Sequence, residues 1–213
     1  MLGFVCVALL YVIVLFFSTV VHEAAHAYIA YLRGDDTAKN AGRISLNPML
    51  HLDPFGSVLL PFILCILKTP IIFALAKPVP INYRKLKSPK IDISLIAAAG
   101  PIANILLCAL SVLIINIIRT FNIFKSNFGS TIELFLYVMF TVNIVLVIIN
   151  LIPIPPLDGS KIVTCVLPKK ITMRYLNLNP YIYLTVLFLI ASSKIISRFM
   201  LHILLLCGNF FYK

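Results

Sequence analysis

Residues 21–26 read Val21-His22-Glu23-Ala24-Ala25-His26, a His-Glu-x-x-His pattern inside an apolar run. Histidines four apart on a helix project from one face, one turn above the other. Two neutral imidazoles at that spacing can share one zinc ion at about 2.0–2.1 Å each. Glu23, beside the first imidazole, is placed to act as base on a water that the ion activates. Catalytic zinc takes three protein ligands and keeps one position open, so a third donor must come from elsewhere in the chain. Asp158 is the best candidate, in the proline-broken stretch Pro153-Ile154-Pro155-Pro156-Leu157-Asp158-Gly159 that follows an apolar run. Irregular backbone at membrane depth has to line protein or a water-filled cavity, and an acidic residue there marks function by default. The bland alternatives are a pair of packing histidines and, for Asp158, a turn capped by its own side chain. His51, close to Asp53, reads as a loop histidine before a ligand, and His202 as a packing residue.

The elements that must hold these groups are membrane spans. A 213-residue chain with 61% hydrophobic and 12% charged residues is no ordinary soluble domain. No charged side chain precedes Glu23, and no proline or glycine interrupts the run after Gly3, so a first helix is expected over Leu2 to Leu32. Arg33-Gly34-Asp35-Asp36 ends it, with glycine at the cap. Residues 37–56 are polar, and Gly42 to Leu46 alternates enough to predict a short strand. Residues 57–76 are apolar but carry Pro61, Lys68 and Pro70, and a proline-punctuated basic loop follows over 77–90. Further spans are predicted over Ile91 to Ile118 and Thr131 to Leu151, with a last apolar segment at 181–207 broken by Lys194 and Arg198. The predicted architecture is an all-α polytopic membrane protein, one domain over residues 1–213. It comprises a three-helix catalytic core, a re-entrant or interfacial segment at 57–76, a small membrane-associated β element and a C-terminal helical segment.

Charge sets the expected topology. Lys and Arg outnumber Asp and Glu 18 to 7, an excess that marks cytoplasmic loops and their contact with anionic lipid. Nucleic acid is not an expected partner, because no basic stripe is interleaved with aromatics. With loops 33–56, 77–90 and 160–174 on one side, that side holds twelve basic residues, against Arg119 and Lys125 opposite. This requires 57–76 to enter and leave by the same face, which also lets Asp158 reach the histidines. The five cysteines, Cys6, Cys65, Cys108, Cys165 and Cys207, stand singly in apolar segments and read as buried thiols. The apolar N-terminus lacks the basic start and small-residue cleavage site of a signal peptide.

Two motifs together resemble the site-2 protease family of intramembrane zinc metalloproteases. They are His22-Glu23-Ala24-Ala25-His26 and Asn150-Leu151-Ile152-Pro153-Ile154-Pro155-Pro156-Leu157-Asp158-Gly159. Ser45-Leu46-Asn47-Pro48, Asp53-Pro54-Phe55-Gly56, Ala76-Lys77-Pro78-Val79-Pro80 and Ala99-Gly100-Pro101 are similar to a compact prokaryotic branch without PDZ or CBS domains. The resemblance implies a zinc-dependent endopeptidase of a prokaryotic plasma or inner membrane, cleaving transmembrane segments of substrate proteins near the cytoplasmic face. It implies one zinc per chain held by His22, His26 and Asp158, Glu23 as catalytic base, and Asn150 as a substrate-binding or oxyanion-stabilising residue. Asn104, beside Gly100-Pro101, reads first as an interhelical hydrogen-bonding residue and second as a substrate contact. A substrate helix must unwind before its carbonyls can react, and the strand expected at 42–46 would pair with the extended peptide. Two rivals come from other classes: a metal-ion transporter or channel, which predicts further ligands along a pore, and an inactive relative that only binds membrane proteins.

Overall fold

The computed structural model describes residues 2–53, 77–121, 123, 127–168 and 171–172, with isolated positions between 56 and 67 and between 185 and 205. Helix α1 runs Leu2–Leu32, as its uninterrupted apolar sequence dictates. It stops where the Gly34 N–H donates to the Tyr31 carbonyl at 3.1 Å and the Asp35 N–H to the Ala30 carbonyl at 2.9 Å. That paired closure needs a left-handed residue, and Gly34 supplies it at φ 103°. The short α2 follows over Thr37–Asn40.

Helix α3, Pro89–Thr120, opens with proline at its first position, where the missing N–H costs nothing. The Asp92 carboxylate accepts the Ser88 N–H at 2.7 Å and takes Arg33 at 2.6 Å, tying the end of α1 to the start of α3. Asp35, fully buried, binds the same region differently: its carboxylate accepts the Thr37 N–H at 3.0 Å and the Asn82 N–H at 2.6 Å. Burial alone would raise the Asp35 pKa, but these donors and nearby Lys85 hold it below the ordinary carboxylate value. Helix α4 spans Asn127–Asn150, and the short α5 spans Asp158–Val163.

Among the described residues, three stretches are long and apolar enough to cross a bilayer: Leu9–Leu32, Pro89–Thr120 and Gly129–Asn150. The protein is therefore a mostly helical, multi-pass membrane protein. Helix α3 is central and packs against α1, α4 and α5. Cys108, Ile115 and Ile118 of α3 pack against Leu136 and Phe140 of α4. Val14 of α1 meets Val138, Met139, Val142 and Leu146 of α4. Outward, Leu9, Ile13 and Phe17 of α1 and Leu106, Leu110 and Leu113 of α3 are exposed, an apolar surface suited to lipid. The small residues Ala97, Ala99, Gly100 and Pro101 are buried, which lets α1 approach α3 closely.

The expected spans start or stop within a few residues of those observed; the β element does not exist among the described residues. Gly42 to Leu46 is turn and bend. The Arg43 N–H closes back onto the Ala38 carbonyl at 2.9 Å, so the segment is held to α2 rather than offered to a strand. Its alternation is also inverted: Ile44 and Leu46 are exposed, while Arg43 is buried and donates to the Lys77 carbonyl. The re-entrant segment at 57–76 and the apolar segment at 181–207 lie outside the described residues, apart from isolated positions.

Candidate metal centre

His22 and His26 emerge one turn apart from the face of α1 that looks at α3. Their rings meet edge to face, centroids 4.6 Å apart. The two Nε2 atoms are 3.0 Å from each other. Asp158, the first residue of α5, brings its Oδ2 to 3.0 Å from Nε2 of His22 and 3.1 Å from Nε2 of His26. All three residues are buried, and among the described residues they form the one His/Cys/Asp/Glu group able to hold a metal ion.

The donor set fits zinc. Four ligands at 2.0–2.1 Å in a tetrahedron lie about 3.3 Å apart, close to the triangle observed. The backs of the rings are also satisfied, which directs both Nε2 lone pairs forward. The His26 Nδ1–H donates to the Ile96 carbonyl of α3 at 2.6 Å, and His22 Nδ1 lies 2.6 Å from Oδ1 of Asn104. Room for this comes from Gly100. A Cβ there would sit 2.4–2.6 Å from Cε1 and Nε2 of His22 and Nε2 of His26. Asp158 Oδ1, facing away from the rings, accepts from Lys161 Nζ at 3.3 Å.

The triangle opens onto a cavity of about 270 Å³. Glu23 and Thr19 of α1, Asn150 at the end of α4, and Lys161 supply its polar lining; Val79, Ile81 and Ile93 are part of its apolar wall. Glu23 thus shares the cavity with the donor triangle without belonging to it. Asn150 lies on the same cavity, with its Nδ2 donating to the Leu146 carbonyl at 3.0 Å. Asn104 is fully buried behind His22 and is not part of the cavity lining. His51 is also buried, bonded through Nε2 to the Ser45 carbonyl at 2.8 Å, and is no member of the metal group.

Sequence reasoning missed Ser18 and Asn143, both fully buried and both bonded to Asn104 or to each other. A signal was available in Asn143, an amide in the middle of an apolar span, which is costly in lipid unless it is bonded. Lys161 was counted only as loop charge.

Residues 10–191 match the family described as Peptidase family M50. A protein of Bacillus subtilis (strain 168), provisionally named zinc metalloprotease YwhC, is 35% identical over 182 residues, 85% of this chain and 80% of its own length. One from Mycolicibacterium smegmatis (strain ATCC 700084 / mc(2)155), provisionally named zinc metalloprotease Rip2, is 29% identical over 143 residues, 67% of this chain and 51% of its own length. No solved structure matches the chain.

Proposed function

This chain belongs to peptidase family M50, the site-2 proteases, and is a zinc metalloprotease; from that premise we propose that it cleaves transmembrane segments of substrate proteins, with His22, His26 and Asp158 as its zinc ligands. The convergence of two imidazoles from one span and a carboxylate more than 130 residues later carries the reading. When bound, zinc supplies a Lewis acid that brings a water's pKa to about 7 and polarises a carbonyl. Glu23 takes the proton from the attacking water and hands it to the leaving amine, so a single carboxylate serves both halves of the reaction. Asn150, on the same cavity, holds the substrate backbone or the developing oxyanion. Lys161, bonded to Asp158 Oδ1, keeps Oδ2 turned toward the imidazoles.

The cavity's size bears on the substrate. A helix with its side chains is about 10–12 Å across, more than this space takes, so the scissile segment is unwound locally. The site opens on the cytoplasmic side. His26 lies seven residues, or about 10 Å, before Arg33. The loops at that end carry Arg33, Lys39, Arg43, Lys77, Arg84, Lys85, Lys87 and Lys90, the positive-inside pattern.

The test is a paired measurement on purified full-length protein in detergent or vesicles. Wild type is expected to hold close to one zinc per chain and to cleave a reporter transmembrane peptide. Glu23→Gln is expected to keep the zinc and lose at least a hundredfold in cleavage rate. Asp158→Ala is expected to lose the zinc. Persistent cleavage in Glu23→Gln would remove the base assignment, and undiminished zinc in Asp158→Ala would remove the third ligand.

A further inference from the structure

Behind His22, away from the cavity, a closed chain of amide hydrogen bonds joins α1, α3 and α4. Asn143 Nδ2 lies 2.7 Å from the Met139 carbonyl and 2.9 Å from Ser18 Oγ. Asn143 Oδ1 lies 2.7 Å from Asn104 Nδ2. Asn104 Nδ2 is also 3.5 Å from the Ser18 carbonyl, and Asn104 Oδ1 is 2.6 Å from His22 Nδ1. Ser18, Asn104 and Asn143 are all fully buried.

The direction of every bond in this chain follows from its far end. A main-chain carbonyl only accepts, so the Asn143 side facing the Met139 carbonyl must be the NH₂ group. Turned over, Asn143 would set oxygen against oxygen at 2.7 Å in a dry interior, where nothing screens the repulsion. Its Oδ1 therefore faces Asn104, which must present its own NH₂ there. That leaves only Asn104 Oδ1 for His22, and an amide oxygen cannot donate. The proton of a neutral His22 ring is thereby fixed on Nδ1, and its lone pair on Nε2 faces His26 and Asp158.

We infer that Asn104 and Asn143 are positioning residues that set the tautomer of His22 for metal binding, with the Met139 carbonyl as the fixed reference. The inference rests on the reading of His22 as a zinc ligand. His26 is oriented in one step by the Ile96 carbonyl; His22 is oriented in three. All four N–H bonds of the two amides are used along the way, so neither amide can turn without stranding a buried donor.

The test measures zinc affinity by chelator competition on full-length protein in detergent, alongside the thermal midpoint of the zinc-free form. Asn104→Leu, which removes the acceptor at similar volume, is expected to weaken zinc about 10–100-fold. Asn143→Leu never touches the ring but frees the Asn104 amide to turn; a loss of about three- to tenfold is expected, and this variant carries the test if Asn104→Leu does not fold. In zinc-free wild type labelled with ¹⁵N-histidine, the ring shifts of His22 are expected to show the proton on Nδ1. A purely structural amide pair predicts lower thermal midpoints with unchanged zinc affinity, and that result overturns the inference alone. A His22 Nδ1 that carries no proton also overturns it. Wild type that binds no zinc at all overturns the ligand reading and this inference together.

Discussion

At the scale of single residues, the site depends on how little matter separates α1 from α3. Gly100 faces both imidazoles, and a methyl group there overlaps three ring atoms at 2.4–2.6 Å. Two of those atoms are the nitrogens proposed to hold the ion, so the rings cannot yield without spoiling the donor triangle. Gly100→Ala is expected to lower zinc content severalfold and to destabilise the zinc-free protein by about 1–3 kcal/mol. Metal analysis and a thermal melt check both, and a variant with full zinc would show that the rings have slack. Glu23 differs in kind. It touches the cavity and not the triangle, which is why its amide variant separates metal binding from turnover.

At the scale of elements, the end of α1 is fastened to the start of α3 by charge. Arg33 pairs with Asp92, Asp36 pairs with Lys85, and Asp35 gathers the N–H groups of Thr37 and Asn82. These ties hold the loop that carries Val79 and Ile81 against the cavity. Because the folded protein keeps the Asp35 carboxyl below its reference value of 3.8, the ionised group favours folding. Its contribution is complete above about pH 4 and fades as the pH falls through the lower folded value. Asp35→Asn is expected to cost about 1–3 kcal/mol near neutral pH, and the gap from wild type should narrow in thermal melts run below pH 4. A gap that stayed constant down to pH 3 would contradict this account. The Gly42 to Leu46 segment shows the opposite case. Alternation there had the period of a strand, but the closure onto α2 takes its backbone and Arg43 takes its buried position.

At the scale of the whole molecule, the three apolar helices found among the described residues leave one end rich in positive loops and place the site about two turns beneath it. That arrangement predicts which side Ser88 occupies, at the exposed start of α3. In vesicles or cells, a cysteine at Ser88 in an otherwise cysteine-free chain is expected to react with an impermeant maleimide only after the cytoplasmic face is opened. Labelling from outside alone would invert the topology.

What the chain revealed by itself was local. The His22 and His26 pair, the bounds of α1 and the apolar length of each span depend on residues within a few turns of one another, and a helix translates such spacing directly into a face. The Pro-rich break before Asp158 was legible for the same reason, since proline and glycine act where they stand. Asp158 stood out in the sequence as the third donor, but only the tertiary structure showed that its carboxylate meets the imidazoles, that Gly100 makes the space for them, and that Asn104 stands behind His22 bonded to Asn143. It also decided against the strand, because a strand exists only with a neighbour to bond, and sequence alternation cannot supply one. These contacts join residues 39 to 136 positions apart, and they form because polar groups buried between apolar helices have no water and must find one another.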